Sequence, residues 1–146
     1  PYILARATAY DAIKEYRKAL ADYNTYDTLM YGRASAEFYY TRYRCELNIR
    51  QYQQALNDIA HAAYINPQEP LYLAEMASLE LRVNRLDEAV NAADFCLKIS
   101  PDNTDALIIK GVALAKSGKK AEGMECLKKA DELGDERAKE MMEKYK

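Results

Sequence analysis

His61 is the one histidine in the chain, and Asp58 precedes it by three residues. On a helix that spacing puts both side chains on one face, where an imidazole and a carboxylate could share a proton or hold a metal ion. One His and one Asp make an incomplete metal site, so a surface or interhelical histidine is expected. Cys45, Cys96 and Cys126 are widely spaced, odd in number and without a CxxC pair. They suggest neither a disulfide framework nor a redox motif, and they fall where small core residues sit on helices. Glu46 and Glu80 occupy matching places in successive stretches. A hydrolase could use such a pair as acid and base. Arg42, however, stands one helical turn before Glu46, within reach of an ion pair, and a structural salt bridge is expected instead. With no Gly-rich phosphate loop, nucleophile elbow or His/Cys dyad, the expectation is a non-catalytic chain without metal or cofactor.

Tyrosine is abundant, 13 of 146 residues, and is concentrated before Tyr52. Rings interleaved with Arg42, Arg44 and Arg50 could serve as stacking platforms for bases. The net charge of −2 lacks the basic excess that a phosphate backbone requires, so no nucleic-acid partner is expected. The rings are expected to fill wide spaces between helices with their hydroxyls in water. No apolar run approaches a bilayer's thickness, so membrane insertion is not expected either.

These residues must be positioned by helices. Apolar residues recur at steps of three and four throughout, the mark of amphipathic helices. The pattern also repeats. Asn66-Pro67 and Ser100-Pro101 lie 34 residues apart, and Ala55, Ala89 and Gly123 follow the same interval. Pro67 and Pro101 sit just after a helix, and Pro70 can open the next one. Gly118 and Asn84 tolerate the left-handed backbone that ends a helix inside a hairpin; Arg50, at the equivalent place, tolerates it poorly, so a different turn is expected there. One hairpin cannot bury both of its apolar faces, so neighbours must stack.

The 34-residue period, small Ala55 and Ala89, the set Ala62, Cys96 and Ala130, Tyr52 at a hairpin turn, and the closing Pro67 and Pro101 resemble the tetratricopeptide repeat family. The resemblance implies an all-α fold, a right-handed superhelix of antiparallel helix hairpins. It implies repeats at 36–69, 70–103 and 104–135, preceded by an N-terminal helix and connector at 1–35 and followed by a capping helix at 136–146. The N-terminal part reads as one helix from Ile3 to Tyr23, the remnant of a preceding repeat, then a connector from Thr25 to Gly32 with Ser35 capping the next helix. Tyr43 stands where the family has a small residue, whereas Ala77 and Gly111 fit it.

In that family the first helices of the hairpins line a concave groove that takes an extended peptide or a helix. Carried onto this chain, the groove is lined by Tyr40, Arg44 and Leu47, then Leu71, Ala74, Ser78 and Leu81, then Ile108 and Val112. Members that grip acidic chaperone tails use a clamp of Lys, Asn and Arg. Tyr40, Arg44, Leu71, Glu75, Asp105 and Ile109 stand at the corresponding places, so no acidic-tail clamp is expected. The middle of the groove is apolar, and the helix from Leu71 to Val83 is apolar nearly all round, which argues for burial on both sides. Two covers remain open: a partner segment, or the chain itself through its N-terminal segment or a self-associated copy.

The expected function is a non-catalytic scaffold that binds a protein or peptide of unknown identity. The alternative is an accessory or regulatory segment of a larger protein whose catalytic or effector domain lies outside this chain. The start at Pro1 fits a piece cut from a longer array, in which any targeting signal would lie outside it. The composition is that of a soluble folded protein, and the cysteine usage fits a reducing compartment such as the cytoplasm; the compartment itself is not specified.

Overall fold

The computed structural model describes residues 2–146. Among the described residues there are nine helices and no strand. They are α1 (Tyr2–Ala12), α2 (Tyr16–Leu29), α3 (Ala36–Asn48), α4 (Tyr52–Ile65), α5 (Pro70–Arg82), α6 (Leu86–Ile99), α7 (Thr104–Lys116), α8 (Lys120–Glu132) and α9 (Arg137–Lys144). The chain divides into two compact units, one ending at Asn66 and the other beginning at Pro67. In the first, α1 pairs with α2, α3 pairs with α4, and α2 packs on α3. In the second, α5 pairs with α6 and α7 with α8, α6 and α5 both meet α7, and α9 packs on α8 and α7.

One turn recurs in all four hairpins. Lys14, Arg50, Asn84 and Gly118 have φ of 64°, 61°, 65° and 91°. The next residue's amide (Glu15, Gln51, Arg85, Lys119) donates to the carbonyl five residues back (Tyr10, Glu46, Glu80, Leu114) at 2.8–2.9 Å. This bond satisfies a carbonyl that the helix end would leave orphaned. Arg50 thus makes the same turn as its counterparts, contrary to the expectation of a different one. The hairpin needs the left-handed residue whatever its side chain, and the surrounding packing offsets the strain.

The N-terminal stretch differs from the expected single helix. Lys14 breaks it into α1 and α2, and α2 runs on to Leu29 through most of the expected connector. Tyr10, Ile13, Tyr16, Leu20 and Tyr23 keep a helical spacing across the break, so nothing in the apolar pattern marks it. Ile13 lies in the turn and is 68% exposed. α1 has 11 residues where α3, α5 and α7 have 13. The connector at 30–35 is correspondingly longer than that at 100–103, so α1 and α3 start at the same interval as the later first helices. Ser35 caps α3 as expected, its Oγ accepting from the Phe38 amide at 3.1 Å, and Pro70 is the first residue of α5.

The first unit closes around aromatic rings. Phe38 meets Tyr23 and Tyr39 edge-on at 5.8 and 5.3 Å. Tyr39 stacks on His61 at 4.0 Å. Tyr23 and Tyr39 are about 1% exposed, and the Tyr39 hydroxyl donates to Asp27 at 2.9 Å rather than reaching water. Tyr43 is also buried, despite standing where the fold favours a small side chain. In the second unit the fit is tightest between α7 and α8. A Cβ on Gly111 would lie 2.8 Å from the Gly123 carbonyl oxygen, and one on Gly123 would lie 2.5 Å from that of Gly111. The two backbones touch there, which only paired glycines permit.

Candidate functional site

The expected groove residues fall into different environments, and each unit presents its own share. In the first unit, Tyr40 is half-buried and stacks on Tyr43 at 5.8 Å, and Leu47 is half-buried. Arg44 is exposed and lines a cleft of about 330 Å³ of mixed character, with Thr8, Asp11, Tyr16, Thr41 and Asn48 among its lining.

In the second unit, Leu71, Ala74 and Ser78 of α5 and Ile108 of α7 come together in one cleft of about 230 Å³. Helical spacing explains the set: residues three, four or seven apart share a face, and α5 packs against α7. Glu75, Asp105, Ile109 and Arg137 complete the lining. Leu71 is 45% exposed, and Ile108 and Ile109 are each 9% exposed, so Leu71 is the part of the apolar lining most open to solvent. Val112 lies deeper, in the core with Leu107, Ile108 and Leu127, and Leu81 packs against that core. Met141, Met142 and Tyr145 of the α9 region pack on the same cluster, so part of the expected groove lining shares a core with the C-terminal helix.

The cleft's rim is charged. Arg137 Nη2 donates to Asp105 and to Asp135, each at 2.6 Å, and its Nε donates to Asp135 at 3.0 Å. Hydrogen bonds from the Arg137 guanidinium hold the Asp135 carboxyl well below the usual carboxylate range, against a smaller opposing effect of burial. The guanidinium thereby bridges Asp105, at the start of α7, and Asp135, just before α9, with its own side chain exposed. Sequence reasoning did not place Arg137 at the site. The repeat interval carried the signal, since α9 starts about one period after α7, where another first helix would stand.

The other reactive side chains have structural settings. Cys45 and Cys96 are fully buried, and their thiols donate to the carbonyls of Tyr16 and Pro70 at 3.3 and 3.5 Å. Burial pushes the Cys45 thiol up to about 12, away from the thiolate that a nucleophile needs. Arg42 does not form the expected ion pair with Glu46. Its Nε and Nη2 grip both oxygens of Asp58 at 2.7 Å, and Nη1 reaches Asp27 at 3.1 Å and Asn24 at 3.2 Å. One guanidinium thus ties α2, α3 and α4 together. Asp58, the residue considered beside His61, accepts from it through both oxygens. Among the described residues no helix is long and apolar enough to cross a membrane.

No protein-family model matches the sequence, and no curated protein matches it. Solved structures do. A crystal structure of MamA aligns with a TM-score of 0.80 at 23% identity, over 94% of this chain and 79% of that one. YrrB, described as a TPR protein with an unusual peptide-binding site, aligns with a TM-score of 0.82 at 19% identity, over 94% and 71%. The first TPR of Spaghetti (RPAP3), bound to the HSP90 peptide SRMEEVD, aligns with a TM-score of 0.72 at 17% identity, over 76% and 90%. At these identities the likeness is one of fold, and with its repeated left-handed hairpin turns this chain has the all-α fold of tetratricopeptide repeat proteins.

Proposed function

We propose that this chain is a non-catalytic tetratricopeptide scaffold that holds a peptide or helix of a partner protein, with the cleft between α5 and α7 as its principal contact. The carrying observation is the cleft itself: exposed Leu71 beside Ala74 and Ile108, edged by Glu75, Asp105 and the paired Arg137. A few apolar anchors within a charged rim are what a peptide side chain needs for burial and orientation. The peptide-binding site of YrrB and the peptide held by RPAP3 support the reading that this fold serves such a purpose. The peptide on RPAP3 is acidic. Here Glu75 and Asp105 stand at the rim, and like charges would oppose an acidic tail. A peptide of apolar character is the reading favoured.

The test is selection of binding peptides from a displayed random library on the intact chain. Leu71→Asp should weaken the selected peptides at least tenfold without changing helicity, because Leu71 is half in solvent and its loss costs the fold little. Phe95→Asp, at an exposed position that does not line this cleft, should leave binding unchanged. Equal affinity for the wild type and Leu71→Asp would exclude the cleft as the contact.

A further inference from the structure

In the first unit two acidic side chains are buried side by side. Glu46 of α3 and Asp58 of α4 are each 4% exposed and line the same polar recess, where either carboxyl, if protonated, is placed to donate to the other. A hydrogen bond between two carboxyl groups requires a proton on one of them. Arg42 decides which. It engages both oxygens of Asp58 at 2.7 Å and makes no ion pair with Glu46, so the proton is assigned to Glu46. Oε1 of Glu46 is buried and has no hydrogen-bond partner. An unpartnered carbonyl oxygen is tolerable on a neutral acid, whereas a buried carboxylate in that position would carry a large desolvation cost.

The surrounding groups do not offer Glu46 a second cation. From α2, Asp27 accepts from Arg42 at 3.1 Å and Asn24 at 3.2 Å, so the one guanidinium already serves two carboxylates. From α4 and the turn before it come Asp58 and the amides of Gln51, Gln54 and Asn57. His61, further along α4, is stacked on Tyr39, and Asp11 of α1 lies near the Tyr23 hydroxyl at 3.4 Å. With Glu46 ionised, Asp27, Glu46 and Asp58 would face a single positive charge.

We propose that Glu46 and Asp58 share a structural proton, carried by Glu46 at neutral pH, and that its loss as pH rises loosens α3 from α4. Burial first, then the hydrogen bond to Asp58 and its charge, raise the Glu46 carboxyl above the usual range, against the pull of Arg42. The sign follows. The folded chain binds this proton where the unfolded chain has released it, so this contribution to stability is complete below the ordinary Glu range. It falls steadily with pH until the folded group itself titrates. The pair is thus a pH-sensitive latch on the hairpin that presents Tyr40, Arg44 and Leu47.

Two measurements on the full chain test it. Carbon NMR of the Glu46 side-chain carboxyl should show the protonated form at pH 7; a carboxyl that ionises below pH 5 overturns the proposal. Glu46→Gln keeps the shape and can donate its amide to Asp58. The folded-to-unfolded ratio of the wild type relative to that variant should drop by about tenfold for each pH unit above about 4.5. A ratio independent of pH between 5 and 7 overturns the proposal as well.

Discussion

Arg50 shows how a single residue can oppose its own backbone. Its φ of 61° lies in the left-handed region, where a Cβ crowds the next carbonyl. Gly118 fills the equivalent place in the fourth hairpin with no such strain. Arg50→Gly should therefore stabilise the chain by about 1 kcal/mol, less what the glycine loses in unfolded-state entropy. Urea denaturation measures it, and a destabilised variant would mean that the Arg50 side chain makes contacts worth more than the strain. Glu80 poses a related problem with charge. It is 9% exposed, its Oε1 has no hydrogen-bond partner, and burial, aided by the charge of Glu88 and opposed by Arg85, pushes its carboxyl up to about 7. Leu114 holds the same repeat position in the next hairpin and is buried there. Glu80→Leu should stabilise the chain, and by more at pH 8 than at pH 5. The wild type should lose stability as pH rises from about 4.5 to about 7, on the order of 3 kcal/mol from this group, and the variant should lack this slope. Thermal melts across that range decide it: parallel curves for the two proteins would contradict the assignment.

At the scale of elements, what matters is how near two helices can come. Gly111 and Gly123 let α7 and α8 meet backbone to backbone. Gly123→Ala would otherwise favour the helix, since alanine is the better helix former. Here its Cβ would meet the Gly111 carbonyl at 2.5 Å, a rigid group that cannot swing away. The variant should lose roughly 1–3 kcal/mol through overpacking, detectable as a lower midpoint in urea. An unchanged midpoint would show that the helices can separate without cost. The sequence made the period and the small residues at Ala55, Ala89 and Gly123 legible, because repetition lies in residue order. It did not reveal the break at Lys14. A lysine gives no sign of a left-handed turn, and the apolar spacing runs through it without interruption. Nor did it reveal the partner of Arg42. Glu46 is the neighbour in sequence, but Asp58 on α4 is the one in contact.

At the largest scale, hairpins within each unit keep most of their contacts with neighbours, so damage should remain local. In hydrogen exchange, Gly123→Ala should lower protection in α7 and α8 while leaving the amides of α3 and α4 close to wild type. Loss of protection throughout would mean that the chain unfolds as one cooperative body. The sequence by itself determined that this protein is a series of amphipathic helices paired at a 34-residue interval, because apolar spacing and turn residues act on neighbours along the chain. The tertiary structure decided which faces stay open. Leu71 faces solvent, whereas Val112 lies in a core that also takes side chains from the C-terminal helix, although both were expected in the same groove. Only tertiary packing could bring Arg137 to the cleft and Asp58 to Glu46, since burial and charge pairing depend on distance in space, which residue order leaves unspecified.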